Sequence, residues 1–124
     1  KDDLLRASIA RPFTLLADAV RPDADADRLA HVLAHFRENR RLARGLLGGD
    51  AAPHVRRVLR ELVEERLPTG DGPVPRRLLA AQVAAGQIGM LEAWLAGEAP
   101  CDARTLAEAI ITGARGLTRE GGAA

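Results

Sequence analysis

Apolar side chains recur at helical spacing along most of the chain. In residues 1–20, Leu4, Leu5, Ile9, Phe13, Leu16 and Val20 keep to one stripe, the pattern of a helix with one buried face. Asp2 and Asp3 stand at its start, where carboxylates favour the positive end of the helix dipole. Pro12 predicts a kink or break near Ala10, because proline lacks the backbone donor and crowds the preceding turn. Residues 21–25 are a polar turn. A second stripe follows from Asp25 or Ala26 to about Leu47, through Leu29, Val32, Leu33, Phe36, Ala43 and Leu46, until Gly48 and Gly49 stop it. A third helix has Asp50 as its predicted N-cap, Pro53 in its first turn, and an apolar face of Val55, Val58, Leu59, Leu62 and Val63. Residues 68–73, with two prolines and two glycines, predict a loop.

Segment 74–97 breaks the pattern. Its apolar residues do not hold to one stripe, and no charge lies between Arg77 and Glu92. A helix apolar nearly all round is expected to be buried nearly all round. At ~1.5 Å per residue it spans roughly 36 Å, and a domain of this size has limited room to cover it. It is therefore a candidate interface with a second copy. Asp102 predicts the cap of a last helix over 103–117, and residues 118–124 read as a frayed tail. The short linker between the last two helices favours neighbours packed as a hairpin. Two such hairpins would make an intermolecular four-helix bundle about a twofold axis. The expected contact residues are Leu79, Val83, Gly86, Gln87, Met90, Leu91 and Trp94 in the first helix. In the second they are Leu106, Ile110, Gly113 and Leu117. The fold class that follows is all-α: five to six helices in an orthogonal or antiparallel bundle, ending in this hairpin.

Composition supports that class and narrows the chemistry. The 124 residues fit one domain, large enough for a core without disulfide or metal staples. Hydrophobic residues reach 47% but aromatics only 2%, so Leu, Val, Ile and Ala must fill the core. Ala and Leu are strong helix formers. A net charge of +1 is not the balance of a domain that grips DNA backbone on its own. The abundance of Arg over Lys, with much Ala and Gly, fits a GC-rich genome better than a binding preference. Cys101 stands alone, which excludes an internal disulfide and suits a reducing, cytoplasmic setting. No signal pattern and no membrane-length apolar run stands out.

Each candidate for chemistry has a plainer structural explanation. His31 and His35 are four apart on one helix, but no third ligand accompanies them, so no metal site and no cofactor is expected. Arg37, Arg40, Arg41 and Arg44 read as a solvated face. Cys101 precedes a helix start, which favours a thiolate, yet a lone Cys is usually inert. Trp94 reads as core or seam. Gln82 and Gln87 are the amides of the apolar helix; a buried one needs a partner, whether a ligand, a backbone carbonyl or the counterpart of Gln82 across a dimer. There is no nucleophile with its base, no phosphate loop and no paired carboxylates, so no enzyme is expected.

Three stretches resemble the TetR family of bacterial transcriptional regulators, in its C-terminal regulatory domain. They are KDDLL at 1–5, HFRENRRLARGLLGG at 35–49 and AAGQIGMLEAWLAGEAPCDARTLAEAI at 84–110. The resemblance covers nearly the whole chain, though its motifs are soft. It implies a single regulatory domain over 1–124, with a connecting helix at 1–20 and a dimerisation hairpin at 74–117. It also implies a homodimer, a small-molecule effector, and an operator bound through an N-terminal helix-turn-helix upstream of Lys1. The effector site of such domains lies between the middle helices and the hairpin. Carried over, that gives Phe13, Leu16, Leu33, Phe36, Arg40, Leu59, Gln82 and Met90 as its lining. The expected function is ligand sensing and dimerisation in a repressor released from DNA by its effector, with no membrane partner. The alternative is a structural helical dimerisation module with no ligand.

Overall fold

The computed structural model describes residues 11–68 and 72–122, with side chains for all of these except 119–122. Among the described residues every regular element is helical. Helix α1, described over 11–17, tightens into a 3-10 turn at Asp18–Val20. There follow α2 (Ala26–Glu38), α3 (Arg40–Gly48), α4 (Ala52–Arg66), α5 (Arg76–Leu95) and α6 (Ala103–Gly122). The all-α class and the helix count are as the apolar spacing predicts. The kink expected near Ala10, and the stripe positions Leu4, Leu5 and Ile9, lie outside the described residues.

Helix ends follow local chemistry. Asp25 caps α2, its carboxylate accepting from the N–H groups of Asp27 at 2.9 Å and Arg28 at 3.2 Å. The single helix expected over 26–47 is instead two. At Asn39 the backbone leaves the helical region (φ −112°, ψ 42°), and its side-chain Nδ2 donates to the His35 carbonyl at 3.0 Å. An Asn side chain that bonds the carbonyl four residues back competes with the helix itself, and the chain turns there. Asp50 is not the cap of α4; Ala51 holds that place without a side-chain bond, and Pro53 sits in the first turn. Gly49 ends α3 where nothing larger fits, since a Cβ there would stand 2.5 Å from the Gly45 carbonyl oxygen. Gly97 closes α5 with φ +81°, and the Glu98 N–H reaches back to the Ala93 carbonyl at 3.0 Å, which is the left-handed glycine ending of many helices. Helix α6 runs on to Gly122, so residues 118–122 are helical where a tail was expected.

Asp102 caps α6 through a 2.7 Å bond from the Thr105 N–H. That backbone bond, helped by the Thr105 side chain and the nearby Arg37 and Arg104, holds its carboxyl below the ordinary value. A lowered acid stabilises the fold above its unfolded-state value, and the contribution is lost as pH falls through the folded value. Asp102→Asn, which keeps a capping oxygen but cannot ionise, is expected to melt like the parent near neutral pH and to lack the parent's extra acid sensitivity. Parallel melts from neutral to acid pH check this, and identical pH profiles for the two proteins would refute it.

One apolar core joins all six helices. Phe13, Leu16, Leu33, Leu59, Val63, Leu91, Leu95 and Ile110 are fully enclosed in it. Helix α5 packs most extensively on α4 and α6 on α2, with α5 and α6 adjacent. Polar ties fasten the periphery. Arg66 pairs with Asp18, Arg76 donates to the Glu64 carbonyl at 2.8 Å, Arg115 donates to the Pro22 carbonyl at 3.0 Å, and Arg104 pairs with Asp27.

Candidate functional site

Helix α5 has two faces, and neither is charged through its middle. Leu79, Ala80, Val83, Ala84, Gln87, Ile88, Leu91, Trp94 and Leu95 point into the core. Leu78, Gln82, Ala85, Gly86 and Gly89 lie on the opposite, exposed side, with Leu78 at 62% exposure. By length and composition α5 could cross a bilayer, contrary to the expectation that no segment would, but half of its apolar window is already buried within the chain. The exposed positions of α6, as far as side chains are described, are Arg104, Thr105, Glu108, Ala109, Thr112, Gly113, Arg115 and Gly116.

This division moves the expected dimer contacts. Leu79, Val83, Gln87, Leu91, Trp94, Leu106 and Ile110 are all enclosed by their own chain, so they are not free to meet a second copy. Their apolar character is explained by the core. Gly86 and Gly113 are exposed, and Met90 and Leu117 are half-buried at the edge. The surface that α5 and α6 leave open is uncharged along the middle of α5, and four of its positions are glycines inside helices. A Cβ at Gly86, Gly89, Gly113 or Gly116 would meet nothing within 4 Å. Each glycine weakens its helix by about 0.8–1 kcal/mol relative to alanine, and no contact among the described residues requires one.

The expected effector lining is also divided. Phe13, Leu16, Leu33 and Leu59 are no more than 1% exposed and belong to the packed core. Arg40 and Gln82 are exposed, and Phe36 and Met90 are half-buried. The eight are not brought together around one cavity. Phe36 lines a groove between α1 and α2, and Arg40 lines an open cleft on α3 with Arg41 and Arg44. Phe13 and Phe36 meet across α1 and α2, ring centres 6.2 Å apart.

Gln87 is the buried polar side chain of the core. Its Nε2 donates to the Leu16 carbonyl at 3.0 Å, while its Oε1 has no hydrogen-bond partner among the described residues. Of the three partners the sequence allowed, a backbone carbonyl serves the amide N–H. The bond reaches the backbone just before the 3-10 turn at Asp18–Val20, so it ties α5 to the end of α1.

Trp94 lies in the core with its edge on a junction of three helices. Its Nε1 donates to the Cys101 carbonyl at 2.8 Å, and Arg37 donates to the same oxygen at 3.3 Å. The Arg37 guanidinium also lies 4.7 Å from the indole ring centre, a cation–π contact. Arg37 is thus tied into a structural contact and does not stand with the other arginines of the cluster. His31 and His35 are exposed on α2. Among the described residues no three His, Cys, Asp or Glu side chains gather as metal ligands would. Comparison with family models, curated proteins and solved structures finds no match for this chain.

Proposed function

We propose that this chain is the homodimerising, ligand-sensing regulatory domain of a TetR-like bacterial transcriptional regulator, working in the cytoplasm and not as an enzyme. The observation that supports self-association is the row of helix-weakening glycines on the open side of α5 and α6, which no contact among the described residues explains. Small residues let two helix pairs approach closely, and a twofold axis sets each patch against its own copy. The working contact set is then Leu78, Gln82, Ala85, Gly86 and Gly89 of α5, with Ala109, Thr112, Gly113 and Gly116 of α6. The operator, the repressor role and the effector rest on the sequence resemblance. In that scheme an effector shifts α1 relative to the dimer, and a DNA-binding domain before Lys1 follows it, a rigid-body coupling of two sites.

Sedimentation of the chain is expected to give twice its 13.2 kDa mass, and a monomer at tens of micromolar would refute the self-association. For the longer protein, operator affinity is expected to fall when its effector is added. The second reading, a dimerisation module without a ligand, is favoured by one observation: Phe13, Leu16, Leu33 and Leu59 are sealed in the core. It predicts a dimer whose melting no small molecule raises.

A further inference from the structure

We propose that the groove between α1 and α2 binds a small carboxylate with an apolar tail. The groove is open on one side and offers about 630 Å³, within the range of small-molecule sites, which is roughly 300–1,000 Å³. Its floor is apolar, built by Leu15, Val32 and Phe36. All three are half-buried, and Leu15 and Phe36 pack against the core. Phe13 lies behind Phe36, so the floor has the core as its backing.

The rim carries two guanidinium groups and two imidazoles. Arg11, Arg28, His31 and His35 stand around it, all exposed. Among the described residues no carboxylate forms an ion pair with Arg11, Arg28 or His31. Asp27 is the acid of the rim, and Arg104 of α6 already pairs with it. His35 faces Glu38 through Nδ1 at 3.7 Å, which leaves its other ring nitrogen available. The groove therefore offers an apolar bed with unpaired guanidinium groups at its edge. A guanidinium fork matches a carboxylate with two parallel hydrogen bonds. An apolar tail on the same molecule would cover the floor. The open cleft on α3 has comparable size and three arginines, but its remaining lining is glycine, so it lacks a floor for a tail.

A ligand in this groove touches both α1 and α2. It deepens the effector half of the proposed function and rests on it for its purpose, while binding itself is measured on the chain alone. Calorimetric titration with decanoate, paired with decanol as the neutral control, tests it. Decanoate is expected to saturate one site per chain, with amide NMR shifts at His31, Val32 and His35. Decanol is expected to bind at least roughly tenfold more weakly, the scale of a lost charge-assisted hydrogen bond. The double variant R11E/R28E is expected to lose decanoate binding by a similar factor. Its melting should change little, because both side chains are exposed. Equal affinity for the alcohol and the acid, non-saturating uptake, or undiminished binding by the double variant would each overturn the proposal. A monomeric chain that still binds decanoate at this groove refutes only the dimer. A dimer that fails to bind it refutes only the groove.

Discussion

Gly89→Glu is expected to turn the proposed dimer into a monomer that remains folded. Gly89 is exposed, and a side chain there enters open space within its own chain. In the monomer the substitution removes a glycine from a helix interior, which favours the helix by about 0.5–1 kcal/mol. In the proposed dimer the twofold axis brings in two new carboxylates. Buried and unpaired, each is costly enough to dissociate a small interface. The mass should halve by sedimentation, the helical signal should persist, and melting should cease to depend on protein concentration. Leu91→Ala is the contrasting control. Leu91 is two residues away but fully enclosed by its own chain, so its truncation is expected to lower the stability of the fold by about 2–5 kcal/mol. If G89E stays dimeric, the association surface is not the open face of α5.

Gln87→Glu is expected to make stability strongly dependent on pH. In the parent, the amide N–H meets the Leu16 carbonyl deep in the core. An ionised glutamate would set a negative oxygen against that carbonyl in a buried site. A protonated one would donate to it and restore the bond. Burial and the carbonyl both favour the neutral acid, so the variant's folded-state value rises above the ordinary one, about 4.3 for Glu. A group raised in the folded state is fully tolerated below its unfolded value. Stability then declines as pH rises, at about 1.4 kcal/mol per unit, until the folded value is reached. By neutral pH the loss should be about 3–4 kcal/mol. Gln87→Met fills similar space and removes both the bond and the unpaired acceptor. It is expected to change stability by no more than about 1.5 kcal/mol, at every pH. Denaturant titrations of the two variants at pH 4 and pH 7 check this, and parallel profiles would show that the side chain at 87 does not face the Leu16 carbonyl.

The fold class was legible because amphipathic stripes such as Leu29, Leu33 and Val55, Leu59 mark helices directly. The break at Asn39 was not, since it depends on one side chain joining its own backbone N–H on the His35 carbonyl as the chain leaves the helical region. Segment 76–95 showed why apolar content alone does not give orientation. With large residues on one side and small uncharged ones on the other, its sequence announces burial all round. The large residues were assigned to the partner, yet they fill the chain's own core, which has only Phe13, Phe36 and Trp94 as aromatics. The glycines at 86 and 89 were the better pointer to the open face, because a core position rarely wastes a side chain. The groove was out of reach, since Leu15 and Arg11 are far from His31 in sequence and meet it only through the packing of α1 on α2.

Trp94 is the chain's sole tryptophan, and its place beside Arg37 and the Cys101 carbonyl gives the protein a built-in fluorophore at one known address. Its emission reads the junction of α2, α5 and the turn into α6, and nothing else. Any ligand or partner that shifts α2 against the hairpin would change the distance between cation and indole, and with it the colour and yield of that light. The movement could thus be followed in the unlabelled protein.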